Sequence, residues 1–205
     1  MIKNIIFDMG NVLIHYDTDY FIDRLGITDP EERKLLMRNV FVSYEWSRLD
    51  RGSLHDEEAI ELMCQKLPEK LHPAVEKLVS HWNEPIIPME GMADLIKELK
   101  DNGYMIYLLS NASYRLRSYF DTIPGSEYFD GLVISAEELL VKPQPEIYKL
   151  ICSRYDLIPD ECVFIDDFNL NGEGAYCCGI HPIVFHEDVD ELRDKLIELG
   201  VKVNK

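Results

Sequence analysis

The chain has few of the residue patterns that mark several protein classes. It has five cysteines and no CxxC pair, which argues against a disulfide framework and against structural zinc. The six histidines are scattered, and none has HxxxH spacing, so we do not expect a histidine-based metal site. No apolar run approaches the length of a membrane span, and we therefore expect no membrane partner.

Basic residues are also scarce. The chain has 21 Lys and Arg against 38 Asp and Glu, which gives a formal net charge of −17. Such a surface would repel DNA or RNA, and we expect no nucleic-acid partner. If the substrate is an anion, something cationic must lie in its binding site, and a divalent metal with a lysine would serve. The net charge favours a monomer or a weak homodimer.

The N-terminal segment, MIKNIIFDMG, carries a carboxylate at its eighth residue and has no small-residue cleavage site. It is not typical of a signal peptide. Because the cysteines are also expected to be reduced, we expect a cytoplasmic location. The length of 205 residues suits one large domain, or a core domain with a smaller insertion.

The second half of the chain alternates between strand-like and helix-like segments. After a first strand in MIKNII, strands are predicted at 104–111, 129–135, 161–167 and 181–186. Helices are predicted at 92–103, 113–123, 142–157, 172–179 and 189–200. This alternation with short links is typical of an α/β fold, a Rossmann-like doubly wound parallel sheet with helices on both faces.

Residues 15–85 follow a different pattern. Segments such as YFIDRLG and PEERKLLMRNVF have helical periodicity, and no strand-like run separates them. We interpret 15–85 as an inserted helical domain, and 1–14 together with 86–205 as the core.

One stretch of the insertion, YEWSRLDRGSL at 44–54, combines aromatic and charged groups. Trp46 either belongs to the hydrophobic core or contacts the substrate. Arg48, Asp50 and Arg51 are either solvated or face the substrate, and Gly52 either ends a helix or turns a loop.

Polar residues stand where the predicted strands end. They are Asp8, Ser110, Asn111, Ser135, Asp166 and Asp167, with Lys142 in the loop after Ser135. Ligands of open parallel sheets bind at the carboxyl ends of the strands, so we expect these residues to meet there.

Each of these residues also has an ordinary structural explanation. Asp8 could form the turn, but it could also attack phosphorus as a nucleophile. Ser110 and Asn111 could cap a helix or donate to a phosphoryl oxygen at its N-terminus. Adjacent carboxylates such as Asp166 and Asp167 repel each other unless they are paired or bind a divalent cation.

The segments FDMGNVL, LLSN, KPQPEIY and FIDDFNLNGEGA occur in this order. Together they resemble the motifs of the haloacid dehalogenase-like (HAD) superfamily, and the resemblance spans the whole chain. It implies that the insertion is a cap of subclass I, and we call residues 15–85 the cap segment. The FD-x-GNV turn resembles a subgroup that includes bacterial α-glucose-1-phosphate phosphatases.

The resemblance implies a Mg²⁺-dependent phosphatase that hydrolyses a small phosphorylated metabolite, with a sugar 1-phosphate as the leading candidate. Asp8 would be the nucleophile and carry a phospho-aspartate intermediate. Lys142 would be the catalytic cation that neutralises both the nucleophile and the phosphate. Ser110, Asn111 and Asn11 would bind the phosphate group.

The resemblance also implies a metal site. Mg²⁺ would be held by Asp8, the backbone carbonyl of Gly10, and the pair Asp166 and Asp167, one of them through water. Asn171 would help to order this loop. Asn11 suits its position because Asn tolerates a left-handed backbone better than most residues.

Position 10 departs from the family pattern Asp-x-Asp, in which the second Asp protonates the leaving oxygen and later activates water. Gly10 cannot do this, and general acid–base catalysis is worth about 10²–10⁴-fold. The substrate could have a good leaving group that needs no proton. Alternatively, His15 or Asp17 could replace the missing acid and base, or these two residues could determine specificity. Alternatively, the chain is a catalytically weak or inactive binding or regulatory protein. A metal-free haloacid dehalogenase is a further alternative. The pair Asp166 and Asp167 argues against it, because a site without a metal would have to tolerate both negative charges.

Overall fold

A five-stranded parallel sheet forms the centre of the computed structural model, which describes residues 1–204. Residue 205, the end of the predicted core segment, lies outside the described residues. The strands are β1 (Asn4–Phe7), β2 (Met105–Ser110), β3 (Gly131–Ile134), β4 (Cys162–Asp166) and β5 (His181–Val184). Their order is β3-β2-β1-β4-β5, and every neighbouring pair is parallel. The predicted α/β class with a parallel sheet is confirmed.

The α-helices of the described residues fall into two groups along the chain. Between β1 and β2 lie α1 (Thr18–Asp23), α2 (Pro30–Leu36), α3 (Tyr44–Arg51), α4 (Asp56–Cys64), α5 (His72–Ser80) and α6 (Met92–Asp101). The later helices are α7 (Leu116–Tyr119), α8 (Ser135–Glu138), α9 (Pro145–Arg154), α10 (Asn169–Cys177) and α11 (Val189–Glu198). No helix among the described residues is long and apolar enough to cross a membrane.

Some helix bounds differ from the sequence prediction. Helix α10 begins at Asn169 rather than 172, because the Asp166 carboxylate accepts from the Phe168 backbone N–H and turns the chain directly out of β4. The segment predicted as a helix at 113–123 is α-helical only over α7 and then tightens into a short 3-10 turn. Helix α8 was not predicted.

The strands alternate their side chains between two hydrophobic clusters. Ile5 and Phe7 face the larger cluster, and Ile6 faces the smaller one with α9 and α10. Such burial on both faces explains why β1 reads as a continuous apolar run. The larger cluster continues into the cap segment through residues such as Phe21 and Met63, so the helices pack against the sheet domain through shared apolar surface.

The end of α3 is held tightly against the start of α8. Gly52 ends α3 with φ 75°, which is one of its two predicted roles. A Cβ at this position would lie 2.0 Å from the Ala136 carbonyl oxygen, so only glycine permits this approach. The buried Ser135 hydroxyl donates a hydrogen bond to the Asp50 carbonyl oxygen. These contacts fix the last turn of α3 relative to the sheet.

Candidate active site

The register of the sheet brings Asp8 and Asp166 side by side. Phe7 pairs with Ile165 of β4, so the residues that follow lie at the same level of the sheet. The Asp8 N–H donates to the Ile165 carbonyl oxygen at 2.9 Å. All four residues of β1 are buried, and this buried strand delivers the Asp8 carboxylate to the carboxyl edge, as ligand sites of open parallel sheets require.

Lys142 reaches both carboxylates. Its Nζ lies 2.8 Å from Asp8 Oδ1 and 2.6 Å from Asp166 Oδ2, and its side chain is 1% exposed. Burial opposes its charge, but the two carboxylates outweigh this and raise the pKa of Lys142. The lysine is therefore a fixed positive charge beside Asp8, and its catalytic role stays a prediction.

Asp8 sits in a balance of opposing effects. Burial and the charge of Asp166 raise the pKa of its carboxyl, while Lys142 lowers it. The net effect is a pKa of about 6. Its Oδ1 is buried and, despite the nearby ammonium, accepts no hydrogen bond of adequate geometry. Near neutral pH the group is thus an ionised carboxylate with lone pairs that protein hydrogen bonds do not fully use.

The three carboxylates form a compact group that suits a cation. Oxygens of Asp8, Asp166 and Asp167 lie within 4.8 Å of one another. Burial raises the pKa of Asp167, while a hydrogen bond from Asn11 lowers it. With Lys142 charged, three ionised carboxylates would leave an excess of two negative charges. A hard divalent cation with oxygen ligands fits this donor set in charge and in chemistry.

The two members of the acidic pair differ in their partners. Both oxygens of Asp166 are engaged, by Lys142, by the Phe168 N–H and by the Asn171 amide at 3.0 and 3.1 Å. Asp167 accepts from Asn11 Nδ2 through Oδ2 at 3.0 Å. Asn171 therefore orders Asp166, which is the kind of support that was predicted for it, while Asp167 keeps more of its lone pairs for another ligand.

Two asparagine side chains in the site are committed to neighbouring protein groups. Asn11 adopts φ 52°, and its Oδ1 accepts from the Tyr16 N–H at 2.9 Å. Asn111 clamps the backbone of Lys142, accepting from its N–H at 2.8 Å and donating to its carbonyl at 3.0 Å. Both asparagines thus position charged residues. The phosphate-binding roles of Asn11, Asn111 and the buried Ser110 stay predictions.

A cavity of about 200 Å³ lies over these groups. The core contributes Asp8, Met9, Gly10, Asn11, Ser110, Asn111, Ala112, Ser113, Tyr119 and Asp167, and the cap segment contributes Tyr16, Trp46, Leu49, Asp50, Val79 and Trp82. The cavity therefore has a polar part at the sheet edge and a largely apolar, aromatic part on the side of the cap segment.

Trp46 packs against apolar residues and also faces the cavity, and its contact with a substrate stays a prediction. It lines the cavity, and it packs against Phe41 with ring centroids 5.0 Å apart. The two arginines of this stretch lie elsewhere: Arg48 donates to the Ser53 carbonyl oxygen and Arg51 is exposed.

His15 and Asp17, the candidates for the missing acid, are not among the residues that line the cavity. His15 Nδ1 lies 3.6 Å from Glu187 Oε2, and Asp17 is exposed and caps α1 through the N–H groups of Asp19 and Tyr20. Their predicted role stays a prediction, which these contacts disfavour. The acidic residue that lines the cavity from the cap segment is Asp50, for which the sequence left two alternatives open, solvation or contact with the substrate.

Comparisons with known proteins agree with this geometry. A model of the haloacid dehalogenase-like hydrolase family matches residues 2–172. The chain is 28% identical over 187 residues to a D-ribitol-5-phosphate phosphatase of Bacteroides thetaiotaomicron, covering 83% of this chain and 85% of that protein. It is 24% identical to a sesquiterpene phosphatase of Aspergillus oryzae, covering 87% of each.

Solved structures show the same fold. A HAD family enzyme from Bacteroides thetaiotaomicron, in complex with magnesium and inorganic phosphate, superposes with a TM-score of 0.69 at 25% identity and covers 94% of this chain and 99% of its own. The structure of a predicted HAD-like family hydrolase from Porphyromonas gingivalis superposes with a TM-score of 0.74 at 22% identity and covers 98% of this chain and 100% of its own. The family match spans most of the sequence, and the predicted family and hydrolase class are confirmed. This chain belongs to the haloacid dehalogenase-like hydrolase family.

Proposed function

We propose that the protein is a Mg²⁺-dependent phosphatase that hydrolyses a small phosphorylated metabolite through a phospho-aspartate on Asp8. The observation that carries this proposal is the buried contact of Asp8, which lines the cavity, with Lys142 at 2.8 Å. A carboxylate held beside a fixed cation can accept a phosphoryl group whose charge that cation offsets.

Each residue of the site has a separate role in the proposed phosphoryl transfer. Asp8 attacks phosphorus, and Lys142 balances the charge of the nucleophile and of the transferring group. Asn111 holds the Lys142 backbone, and Asn171 holds Asp166, so the charged groups are positioned before the substrate arrives. Water then attacks the phospho-aspartate and releases phosphate.

The metal site would be built from Asp8, Asp167, Asp166 and the Gly10 carbonyl. When bound there, Mg²⁺ would stabilise the negative charge that develops on the phosphoryl oxygens. The charge balance of the three carboxylates and Lys142 supports this assignment. So does the magnesium complex of the related Bacteroides enzyme.

The cavity supports a small substrate. Its volume, about 200 Å³, lies below the ~300–1,000 Å³ that is common for drug-sized ligands. The aromatic residues Tyr16, Trp46 and Trp82 could pack against the apolar face of a sugar or polyol. The related D-ribitol-5-phosphate phosphatase supports a phosphorylated sugar or polyol, and a sugar 1-phosphate remains our specific candidate.

We also propose a division of the chain into a core, formed by residues 1–14 and 86–205, and a subclass I cap formed by the cap segment. The helices α1 to α5 between Thr18 and Ser80 support it, as do the cavity residues drawn from both parts. A cytoplasmic location and a monomeric or weakly dimeric state remain predictions.

The test is hydrolysis of para-nitrophenyl phosphate with and without Mg²⁺, for the wild type, Asp8→Asn and the exposed carboxylate control Asp121→Asn. We expect turnover that requires Mg²⁺, is lost in Asp8→Asn and is unchanged in Asp121→Asn. Turnover without Mg²⁺, or retained by Asp8→Asn, would contradict the proposal. A folded wild type inert towards a panel of phosphorylated metabolites would instead favour the binding-protein alternative that Gly10 suggests.

A further inference from the structure

The turn that follows Asp8 supplies no side chain that can protonate a leaving oxygen. Gly10 lines the cavity without a side chain. Asp8 and Lys142 are already paired with each other, and Asp166 has both oxygens engaged. An acid that replaces the side chain missing at position 10 must therefore come from another residue that lines the cavity.

Asp50 is the carboxyl that the cap segment contributes to this cavity. It lies in the last turn of α3 and is only partly exposed. The hydrogen bond from the Ser135 hydroxyl goes to its backbone carbonyl and not to its carboxyl.

The position of Asp50 is built into the fold. The Ser135 hydroxyl both accepts from the Ala112 N–H at 2.9 Å and donates to the Asp50 carbonyl. Ala112 itself lines the cavity just beyond Ser110 and Asn111. The close approach of Gly52 to Ala136 locks the same turn. One serine thus links the loop after β2 to the turn that carries Asp50.

We propose that Asp50 is the general acid and base of the reaction and takes the role that Gly10 cannot perform. The inference rests on the proposed function and adds a catalytic residue to it. It also changes the expected substrates, because a site with its own acid does not need a leaving group that departs unprotonated.

The electrostatics of the cavity agree with this role. Burial and the charge of Asp8 raise the pKa of Asp50, Lys142 lowers it, and the result is about 8. The remaining facing groups are the phenols of Tyr16 and Tyr119, whose pKa values are raised by burial, with a contribution from Asp50. At neutral pH the Asp50 carboxyl thus holds the proton that an acid must deliver, near the operating pH that favours such catalysis.

The proton balance closes over the two steps. In the first, Asp8 forms a bond to phosphorus while the bond to the ester oxygen breaks, and that oxygen takes the proton of Asp50. In the second, the Asp50 carboxylate takes a proton from the attacking water as its oxygen bonds to phosphorus. The bond between phosphorus and Asp8 then breaks, and the protonated Asp50 is restored.

The experiment compares two phosphate esters in Asp50→Asn, which keeps the shape of the side chain. Nitrophenolate is a stable anion and leaves without being protonated. The alkoxide that would leave from glycerol phosphate must be protonated as its bond to phosphorus breaks. We expect kcat/KM for glycerol phosphate to fall by about 10²–10⁴-fold, and that for para-nitrophenyl phosphate to fall far less. The slower attack of water should then produce a pre-steady-state burst of nitrophenolate.

Three controls make the result specific. Glu45→Gln removes another buried carboxylate of α3, one that pairs with Lys66 at 2.5 Å, and should leave the ratio of the two substrates unchanged. Asp50→Glu keeps a carboxyl, so it should recover part of the kcat/KM for glycerol phosphate, relative to that for para-nitrophenyl phosphate, that Asp50→Asn loses. Asp8→Asn should abolish both activities, which separates a failure of this inference from a failure of the proposed function.

The inference is overturned if Asp50→Asn leaves both activities intact or lowers kcat/KM equally for both esters. It is also overturned if the wild type hydrolyses only the aryl ester. Thermal unfolding of each variant identifies losses of activity that come from misfolding. If Asp50→Asn misfolds, the ratio of kcat/KM for the two esters measured with Asp50→Glu decides whether the inference holds.

Discussion

Lys142 is the residue whose removal should disturb the folded site most clearly. Its side chain is 1% exposed, and its ammonium contacts Asp8 at 2.8 Å and Asp166 at 2.6 Å. In Lys142→Met the stem is replaced by a chain of similar length, but two buried carboxylates lose their counter-charge. Removing one partner of a buried ion pair costs about 3–5 kcal/mol of stability.

The loss should depend on pH in a defined direction. Lys142 is the main influence that lowers the pKa of Asp8, and with that influence present burial and Asp166 still hold the pKa at about 6. Without the lysine, the folded-state pKa rises further above the unfolded value. A carboxyl of this kind binds a proton more readily in the folded state, so stability falls as pH rises through that window. The destabilisation is therefore larger at about pH 7.5 than at about pH 5.

The assay is urea unfolding at both pH values in the presence of a chelator, with thermal unfolding alongside. For a chain of this length about 2–4 °C of Tm accompanies each kcal/mol, so a drop of roughly 6–20 °C is expected near neutral pH. Added Mg²⁺ should recover part of it. The control Lys3→Met breaks an exposed pair with Glu161 and should cost about 0–1 kcal/mol. A stable Lys142→Met, or a loss independent of pH, would refute the reasoning.

Two further changes test the supports of the site. Gly52→Ala places a Cβ 2.0 Å from the Ala136 carbonyl oxygen at φ 75°, so α3 must move; we expect lower kcat together with a lower Tm, and wild-type values for both would contradict the docking. Asn171→Ala removes the amide that holds Asp166; we expect activity to need about 10–100-fold more Mg²⁺, and an unchanged Mg²⁺ titration would show that this support is dispensable.

The sheet and the carboxyl-edge residues could be predicted because they depend on local sequence. A buried parallel strand reads as an apolar run, and β1 and β4 both end directly before or on a carboxylate. The parallel alternation then places those ends on one edge. The contact of Asp8, Asp166 and Lys142 follows from this topology, and the family resemblance pointed to the same residues.

For the cap segment the sequence left alternatives open at Trp46, Arg48, Asp50 and Arg51, because which of these side chains reaches the cavity depends on contacts between distant parts of the chain. Asp50 reaches the cavity only because α3 docks on α8, and α8 is a short helix without a clear sequence pattern. His15 stands close to the catalytic turn in sequence, but its ring lies near Glu187, in the link between β5 and α11. Proximity along the chain therefore does not show which side chains line the cavity.

Asparagine roles were also hard to assign from sequence alone. The phosphate-binding role of Asn111 stays a prediction, while its amide makes two hydrogen bonds to the Lys142 backbone. The side chain of Asn11 bridges Asp167 and the Tyr16 N–H. An amide can donate and accept equally well towards protein and ligand, so residue type does not distinguish the two uses.

The central claim is that Asp8 carries the phosphoryl group, and rapid-quench mass spectrometry tests it most directly. The protein would be mixed with para-nitrophenyl phosphate and Mg²⁺, quenched in acid within a single turnover, and digested. The account predicts one added phosphoryl group on the peptide that contains Asp8, absent without Mg²⁺ and absent in Asp8→Asn. Turnover with no phosphorylated peptide, or with the phosphoryl group on another residue, would contradict it.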